Sequence, residues 1–217
     1  MHLERKLISS SFLSSKDIIR DLKRLDDTDV DYIHLDVMDG KFVPKKTMPF
    51  SEMKHIYKYT SKRLDIHLMV KDVERYIKDY ATLNAEYITI HVELSEDIEE
   101  YLQLIKSYGI KSGLAISPTT KIKELIPYLP LLDIILVMSV TPGEGGQEFI
   151  LETKDKLKEL RILLNKYKQK AVIAVDGGIN DETKKYCVDA DILVAGSYVI
   201  LPENEDFQEK INKLRAE

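Results

Sequence analysis

The chain has 217 residues, 44% of them hydrophobic, and carries 32 Lys and Arg against 37 Asp and Glu for a net charge of −5. That is the size of one large α/β domain with enough apolar residues for a full core, and its charge offers no basic stripe to nucleic acid. No apolar run approaches the roughly 20 residues that span a bilayer.

Taken in chain order, a strand-like run at Leu7–Ser9 is followed by a helical stripe of Ile18, Ile19, Leu22 and Leu25. Tyr32–Val37 comes next, then an irregular stretch from Gly40 to about Phe50 that is rich in Pro and Lys. Leu64–Met69 precedes a stripe of Val73, Tyr76, Ile77 and Tyr80. Tyr87–Val92 leads to Ile98, Leu102 and Ile105, with Ser95 as the expected N-cap and Gly109 as the stop. Ser112–Ile116 and Ile134–Ser139 stand before a stripe of Leu157, Leu160, Leu164 and Tyr167. Ala171–Asp176 and Ile192–Ala195 are the last strands, and Ile211 with Leu214 marks a final helix. Several of these strands are apolar almost throughout, as in a parallel sheet covered on both faces. Strand starts recur roughly every 20 to 38 residues, the spacing of βα units. Eight such units predict a single-domain (β/α)8 TIM barrel over residues 1–217. An open doubly wound sheet usually has fewer strands and a glycine-rich first turn, which Ser9-Ser10-Ser11-Phe12 does not supply.

Three strands deliver potential metal ligands to their carboxyl ends, where barrel enzymes collect catalytic groups. Side chains alternate along a strand, so His34 and Asp36 share a face; His67 and Asp176 end two other strands. One divalent cation would satisfy all four, and a hydrogen-bonded His–Asp network without metal is the alternative. Mixed nitrogen and oxygen donors do not choose among Zn, Fe(II), Mn and Co. Glycines follow three successive strands: Gly143, Gly145 and Gly146, then Gly177 and Gly178, then Gly196 before Ser197. Backbone N–H groups freed in this way can converge on a phosphate. Met38, Met69 and Met138 also lie at strand ends, as core fillers or as an apolar lining. His91 is read as a satisfied structural histidine, and His2 and His55 as exposed. The lone cysteine, Cys187, excludes an intrachain disulfide and is expected to be buried in a reducing compartment. With no apolar signal segment after Met1, a soluble cytoplasmic protein is expected.

The motifs resemble the ribulose-phosphate 3-epimerase family over essentially the whole chain. They are His34-Leu35-Asp36-Val37-Met38-Asp39-Gly40, Phe42-Val43-Pro44, Asp65-Ile66-His67-Leu68-Met69-Val70 and Ile90-His91-Val92-Glu93. Met138-Ser139-Val140-Thr141-Pro142-Gly143, Gly145-Gly146-Gln147, Val175-Asp176-Gly177-Gly178 and Ala195-Gly196-Ser197 follow in the family's order. The resemblance implies inversion at C3 of a ketose phosphate, D-ribulose 5-phosphate to D-xylulose 5-phosphate, in the pentose phosphate pathway. It implies His34, Asp36, His67 and Asp176 as metal ligands, with Asp36 and Asp176 also the acid/base pair working through a cis-enediolate. Ser11, His67, Gly143 to Gly146 (Glu144 included), Asp176, Gly177, Gly178, Gly196 and Ser197 would contact substrate. A homo-oligomer is expected, with no organic cofactor, because no electrons leave the substrate.

Several positions depart from the family pattern: Glu144 stands where an aromatic is usual, Ser10 replaces a proline, and Lys41, Lys45 and Pro49 alter the loop after the second strand. Glu144 is expected to turn away from a bound phosphate. A 3-epimerase of a hexulose 6-phosphate such as allulose 6-phosphate is the alternative enzyme, and a non-catalytic phosphosugar-binding barrel is the alternative of another class.

Overall fold

The computed structural model describes residues 5–94, 97–201 and 204–216; His2 and the expected cap Ser95 lie outside them. Eight parallel strands close into a barrel in sequence order. They are β1 (Leu7–Ser11), β2 (Tyr32–Met38), β3 (Leu64–Met69), β4 (Ala85–His91), β5 (Lys111–Ile116), β6 (Ile134–Met138), β7 (Val172–Asp176) and β8 (Ile192–Ala195). β1 pairs with both β2 and β8, which closes the ring. The helices are α1 (Ile18–Asp26), α2 (Phe50–Met53), α3 (Val73–Tyr80), α4 (Ile98–Ser107), α5 (Thr153–Lys166), α6 (Ser197–Ile200) and α7 (Phe207–Arg215). Asp17 caps α1 by accepting from the Arg20 N–H, and Asp206 caps α7 by accepting from Gln208 and Glu209. Between β5 and β6 the chain forms 3-10 turns over Ile122–Leu131. Pro127 and Pro130 each remove an N–H donor there, so no α-helical ladder is available.

The apolar runs are explained by two layers of packing. Alternate residues of each strand, such as Ile33, Leu35 and Val37 of β2, face the helices and join Leu22, Ile77, Leu102, Leu157 and Ile211 in the outer core. The other set fills the barrel. On β5–β8 it is apolar, with Ala115, Leu136, Ala174 and Val194 packed together. On β1–β4 it is largely polar: Ser9, Ser11, His34, Asp36, Asp65, His67, Thr89 and His91 are all buried. The barrel interior is therefore divided: its buried histidines and aspartates come from β2–β4, joined at the mouth by Asp176 from β7.

Two helical stripes are narrower than their periodicity predicts. Leu22 and Leu25 are buried but Ile19 is 46% exposed; Leu157, Leu160 and Leu164 are buried but Tyr167 is 42% exposed. Tyr167 caps the carboxyl end of α5, beyond the last turn that touches the sheet. Gly109 does stop α4, at φ 73°, with its N–H bonded to the Lys106 carbonyl. Cys187 is fully buried, and burial pushes its thiol up to about 12. His55, expected to be exposed, is half-buried, with its Nδ1 sealed from solvent.

Candidate active site

Register decides which side chains meet. β2 and β3 pair so that His34 lies opposite Asp65 and Asp36 opposite His67. The His-x-Asp spacing of one strand is thus answered by Asp-x-His on the next. His34 Nδ1 is held 2.8 Å from Asp65 Oδ2, and the Ser9 hydroxyl donates to the same oxygen at 2.8 Å. The Ser11 hydroxyl donates to Asp36 Oδ2 at 2.8 Å. β7 brings Asp176 to the opposite side, with its Oδ2 3.9 Å from His34 Nε2, while Asp36 Oδ1 approaches the same nitrogen at 3.4 Å. One ligand atom from each of His34, Asp36, His67 and Asp176 lies within 4.8 Å of all the others.

The residues fit a metal ion on one observation above all. His34 Nε2 is buried and has no hydrogen-bond partner, although a buried polar atom normally has one. It points into a group of oxygens with its other nitrogen anchored by a carboxylate, the arrangement that orients a histidine ligand. Electrostatics separate the two aspartates. Burial opposes ionisation of Asp36, but His34 and His67 outweigh it and hold its carboxyl far below the usual range. Burial pushes Asp176 up to about 7, with the charges of Asp36 and Asp65 adding to the rise and His34 opposing it. His34, despite complete burial, is raised well above the ordinary imidazole value by Asp65 and Asp36.

Above this cluster opens a cleft of about 360 Å³. Asp36 and Asp176 reach it, and so do Ser11, the three methionines Met38, Met69 and Met138, and every glycine of the three β–α junctions, together with Ser197. Gly177 takes φ 119°, and a Cβ there would stand 2.5 Å from Val140; Gly178 takes φ 60°, 2.6 Å from the Phe149 nitrogen. Only glycine allows the chain to turn this tightly beside the cleft. Glu144 is exposed at the rim. His34 and His67 are completely buried beneath the floor, so His67 belongs with the ligand cluster and does not line the wall.

Some residues had no signal strong enough to be singled out. Ser14 joins the cleft and its hydroxyl lies 2.9 Å from that of Ser197. Ser139 donates to the carbonyls of Asp176 and Gly177 at 2.8 and 2.6 Å, fixing the end of β7. Asp65 could have been found from its alternation with His67. His91, read as structural, is fully buried with its Nε2 2.8 Å from His67 Nε2 and its Nδ1 2.8 Å from Glu93 Oε2. Burial pushes His91 down to about 4. Burial also opposes ionisation of Glu93, yet its bonds with His91, Thr120 and Ser117 hold it at about 2.

Residues 5–200 match the model of the ribulose-phosphate 3 epimerase family. The chain is 40% identical over 190 residues to the ribulose-phosphate 3-epimerase of Escherichia coli (strain K12), covering 86% of this chain and 84% of that one. It is 34% identical over 213 residues to the enzyme of that name from Bacillus subtilis (strain 168), covering 97% and 96%. Among solved structures, 3-hexulose-6-phosphate synthase from Salmonella typhimurium superposes with a TM-score of 0.65 at 21% identity over 96% of each chain. Tryptophan synthase from Mycobacterium tuberculosis does so with a TM-score of 0.70 at 13% identity, covering 98% of this chain and 94% of that one; these two likenesses show the barrel fold alone. The family match over most of the chain and the curated relatives at 34–40% identity show that the chain belongs to the ribulose-phosphate 3-epimerase family.

Proposed function

We propose that this chain inverts C3 of D-ribulose 5-phosphate to give D-xylulose 5-phosphate with the help of one divalent metal ion. The observation that carries the reading is the convergence of two carboxylates from different strands, Asp36 on β2 at 3.4 Å and Asp176 on β7 at 3.9 Å, on one buried nitrogen, His34 Nε2. His34, Asp36, His67 and Asp176 would hold the ion, which when bound would act as a Lewis acid toward the sugar's oxygens. The remaining work belongs to the chain. Inversion needs a proton removed from one face of C3 and another supplied to the opposite face, because one base on one face would return the original configuration. Asp36, ionised and steadied by the Ser11 hydroxyl, suits the base; Asp176, whose environment favours its protonated form, suits the acid. The roles exchange in the reverse direction.

The other wall of the cleft supplies orientation. Backbone N–H groups at Gly177, Gly178, Gly196 and Ser197, with those of Gly143 to Gly146, would take the phosphate, and Glu144 at the rim leaves them free to do so. Binding energy from the phosphate then holds C3 between the aspartates. Met38, Met69 and Met138 give that carbon an apolar surround which limits competing water. The buried thiol of Cys187 supports a cytoplasmic setting. No helix among the described residues is long and apolar enough to cross a membrane.

The test is exchange of the C3 hydrogen of ribulose 5-phosphate with D₂O, followed by NMR with and without a chelator. Deuterium uptake that accompanies xylulose 5-phosphate formation and stops on chelation is expected. No uptake from any ketose phosphate would leave only a binding barrel, and a higher kcat/KM on allulose 6-phosphate would move the assignment to the hexulose substrate.

A further inference from the structure

The ring of His67 has a partner on each side. Its Nδ1 faces Asp36 Oδ1 at 3.4 Å, within the group of ligand atoms, and its Nε2 lies 2.8 Å from His91 Nε2. Two ring nitrogens share a hydrogen bond only when one carries the proton and the other a lone pair. The far end of the row decides which. His91 Nδ1 lies 2.8 Å from Glu93 Oε2, and a carboxylate can only accept. His91 therefore gives its Nδ1 proton to that bond, keeps a lone pair on Nε2 and accepts from His67 Nε2–H. Asp36 Oδ1, also an acceptor, competes for a proton on His67 Nδ1, but at 3.4 Å it is outweighed by the two 2.8 Å bonds of the row, and the lone pair of His67 is left on Nδ1, facing the cluster. Both rings are completely buried, and Phe42 packs over His91 with ring centres 4.8 Å apart. The two rings are thereby kept from water, while Glu93 at the end of the row reaches the surface.

We infer that Glu93 and His91 are positioning residues which set the tautomer of His67 so that its Nδ1 lone pair is available to a divalent cation. The inference rests on the metal reading of the His34, Asp36, His67 and Asp176 cluster. His34 is wired in the opposite sense, with Nδ1 bonded to Asp65 and Nε2 left for the ion. The two imidazoles thus present different nitrogens to one point, each fixed by an acid outside the ligand set, directly for His34 and through a second imidazole for His67. Ligand histidines generally take their orientation from such outer partners.

Glu93 also accepts at Oε1 from the Ser117 N–H, at 2.7 Å, and from the Thr120 hydroxyl, at 2.5 Å. This gives an isosteric test with a definite sign. In Glu93→Gln the amide oxygen must occupy the Oε1 place, because the Ser117 N–H can only donate. The NH₂ group then faces His91 Nδ1 and makes it an acceptor. His91 carries its proton on Nε2, His67 Nε2 must accept, and the His67 proton moves to Nδ1, where it blocks a metal bond. Glu93→Ala imposes neither direction, although it removes more of the structure. A purely structural role ranks the alanine variant as worse in every respect; tautomer control ranks the glutamine variant as worse for metal.

The experiment uses the full chain stripped of metal, at pH 8, with Zn²⁺ or Co²⁺ affinity read by competition against a chromophoric chelator. Affinity should fall about 10- to 100-fold in Glu93→Gln and less in Glu93→Ala, while melting temperature without metal falls further in Glu93→Ala. Long-range ¹H–¹⁵N spectra of the metal-free wild type should show His67 protonated on Nε2 and His91 on Nδ1. Affinities that follow the melting order, a Glu93→Gln affinity within about twofold of wild type, or the reverse wild-type tautomers would overturn the inference while leaving the metal site intact. A wild type that takes up neither ion would instead overturn the metal reading, and this inference with it.

Discussion

The two ends of the barrel use the same residue types to opposite effect. At the amino ends of the strands, acidic residues stand at or just before the even-numbered strands: Asp31, Glu86, Asp133 and Asp191. Asp31 accepts from the Ile8 N–H at 2.9 Å and pairs with Arg5 and Arg215 at 2.8 and 2.6 Å. Asp133 accepts from the Ser112 N–H at 3.0 Å and pairs with Lys106 at 2.5 Å. Asp191 accepts from the Ile173 N–H at 2.8 Å and pairs with Arg161 at 2.7 Å. Glu86 is paired with Arg63 and Lys111. Each carboxylate there meets a cation, and three of them tie an odd strand to its neighbour. At the carboxyl ends, Asp36 and Asp176 face two imidazoles and each other, and His34 Nε2 is left without a partner. Charge paired with charge serves the closure of the ring, although Arg161 Nε and Asp191 Oδ1 there are also buried without hydrogen-bond partners. At the mouth the unpartnered nitrogen faces a gathering of carboxylate and imidazole atoms with capacity for a cation. The difference implies that substitutions at the two ends should separate activity from stability.

The largest effect is expected at the mouth. Asp36→Asn or Asp176→Asn keeps the shape of the side chain and removes its ability to exchange a proton, so turnover should fall by about 10⁴-fold, or about 5 kcal/mol in activation free energy. Circular dichroism and melting should remain those of a folded barrel. Full turnover in either variant would sink the two-acid assignment. The converse belongs to the stem. Arg161→Met leaves Asp191 buried without its cation, which typically costs about 3–5 kcal/mol of stability. Activity per folded molecule should be unchanged, as measured by denaturant titration alongside kcat. A loss of kcat with stability intact would show that the ends are not independent.

Much of this division was legible in the sequence, for reasons that differ by element. Strands covered on both faces are apolar runs, so β3 and β8 are read at their observed limits. β1 extends two residues farther than its apolar run, because Ser10 and Ser11 look like loop until the ring closes around them. The helical stripes overreach at Ile19 and Tyr167, where periodicity continues past the surface that the helix covers. His34, Asp36, His67 and Asp176 could be singled out because alternation and strand ends are local properties. The contacts of Asp65, His91, Glu93 and Ser14 could not. They depend on register between strands or on loops meeting across the mouth, and neither is written in one segment.

The smallest effect sharpens the comparison most, because its sign should reverse when metal is added. Asp176 is pushed from 3.8 to about 7, chiefly by burial and then by its acidic neighbours. Between those values the folded chain holds a proton that the unfolded chain has released, so stability falls as pH rises and the penalty is complete above about 7. Asp176→Asn does not titrate there. In the metal-free chain the variant should match the wild type near pH 4 and exceed it by about 2 kcal/mol at pH 8, a figure reduced for the contact of Asp176 with solvent in the cleft. A cation favours the ionised carboxylate, so saturating Zn²⁺ at pH 8 should make the wild type the more stable of the two. Stem carboxylates already paired with Arg or Lys should show no such reversal: the gap between wild type and Arg161→Met should be the same with and without Zn²⁺. If Asp176→Asn and wild type keep the same order in both conditions, the mouth carries no cation and its charges are as structural as those of the stem.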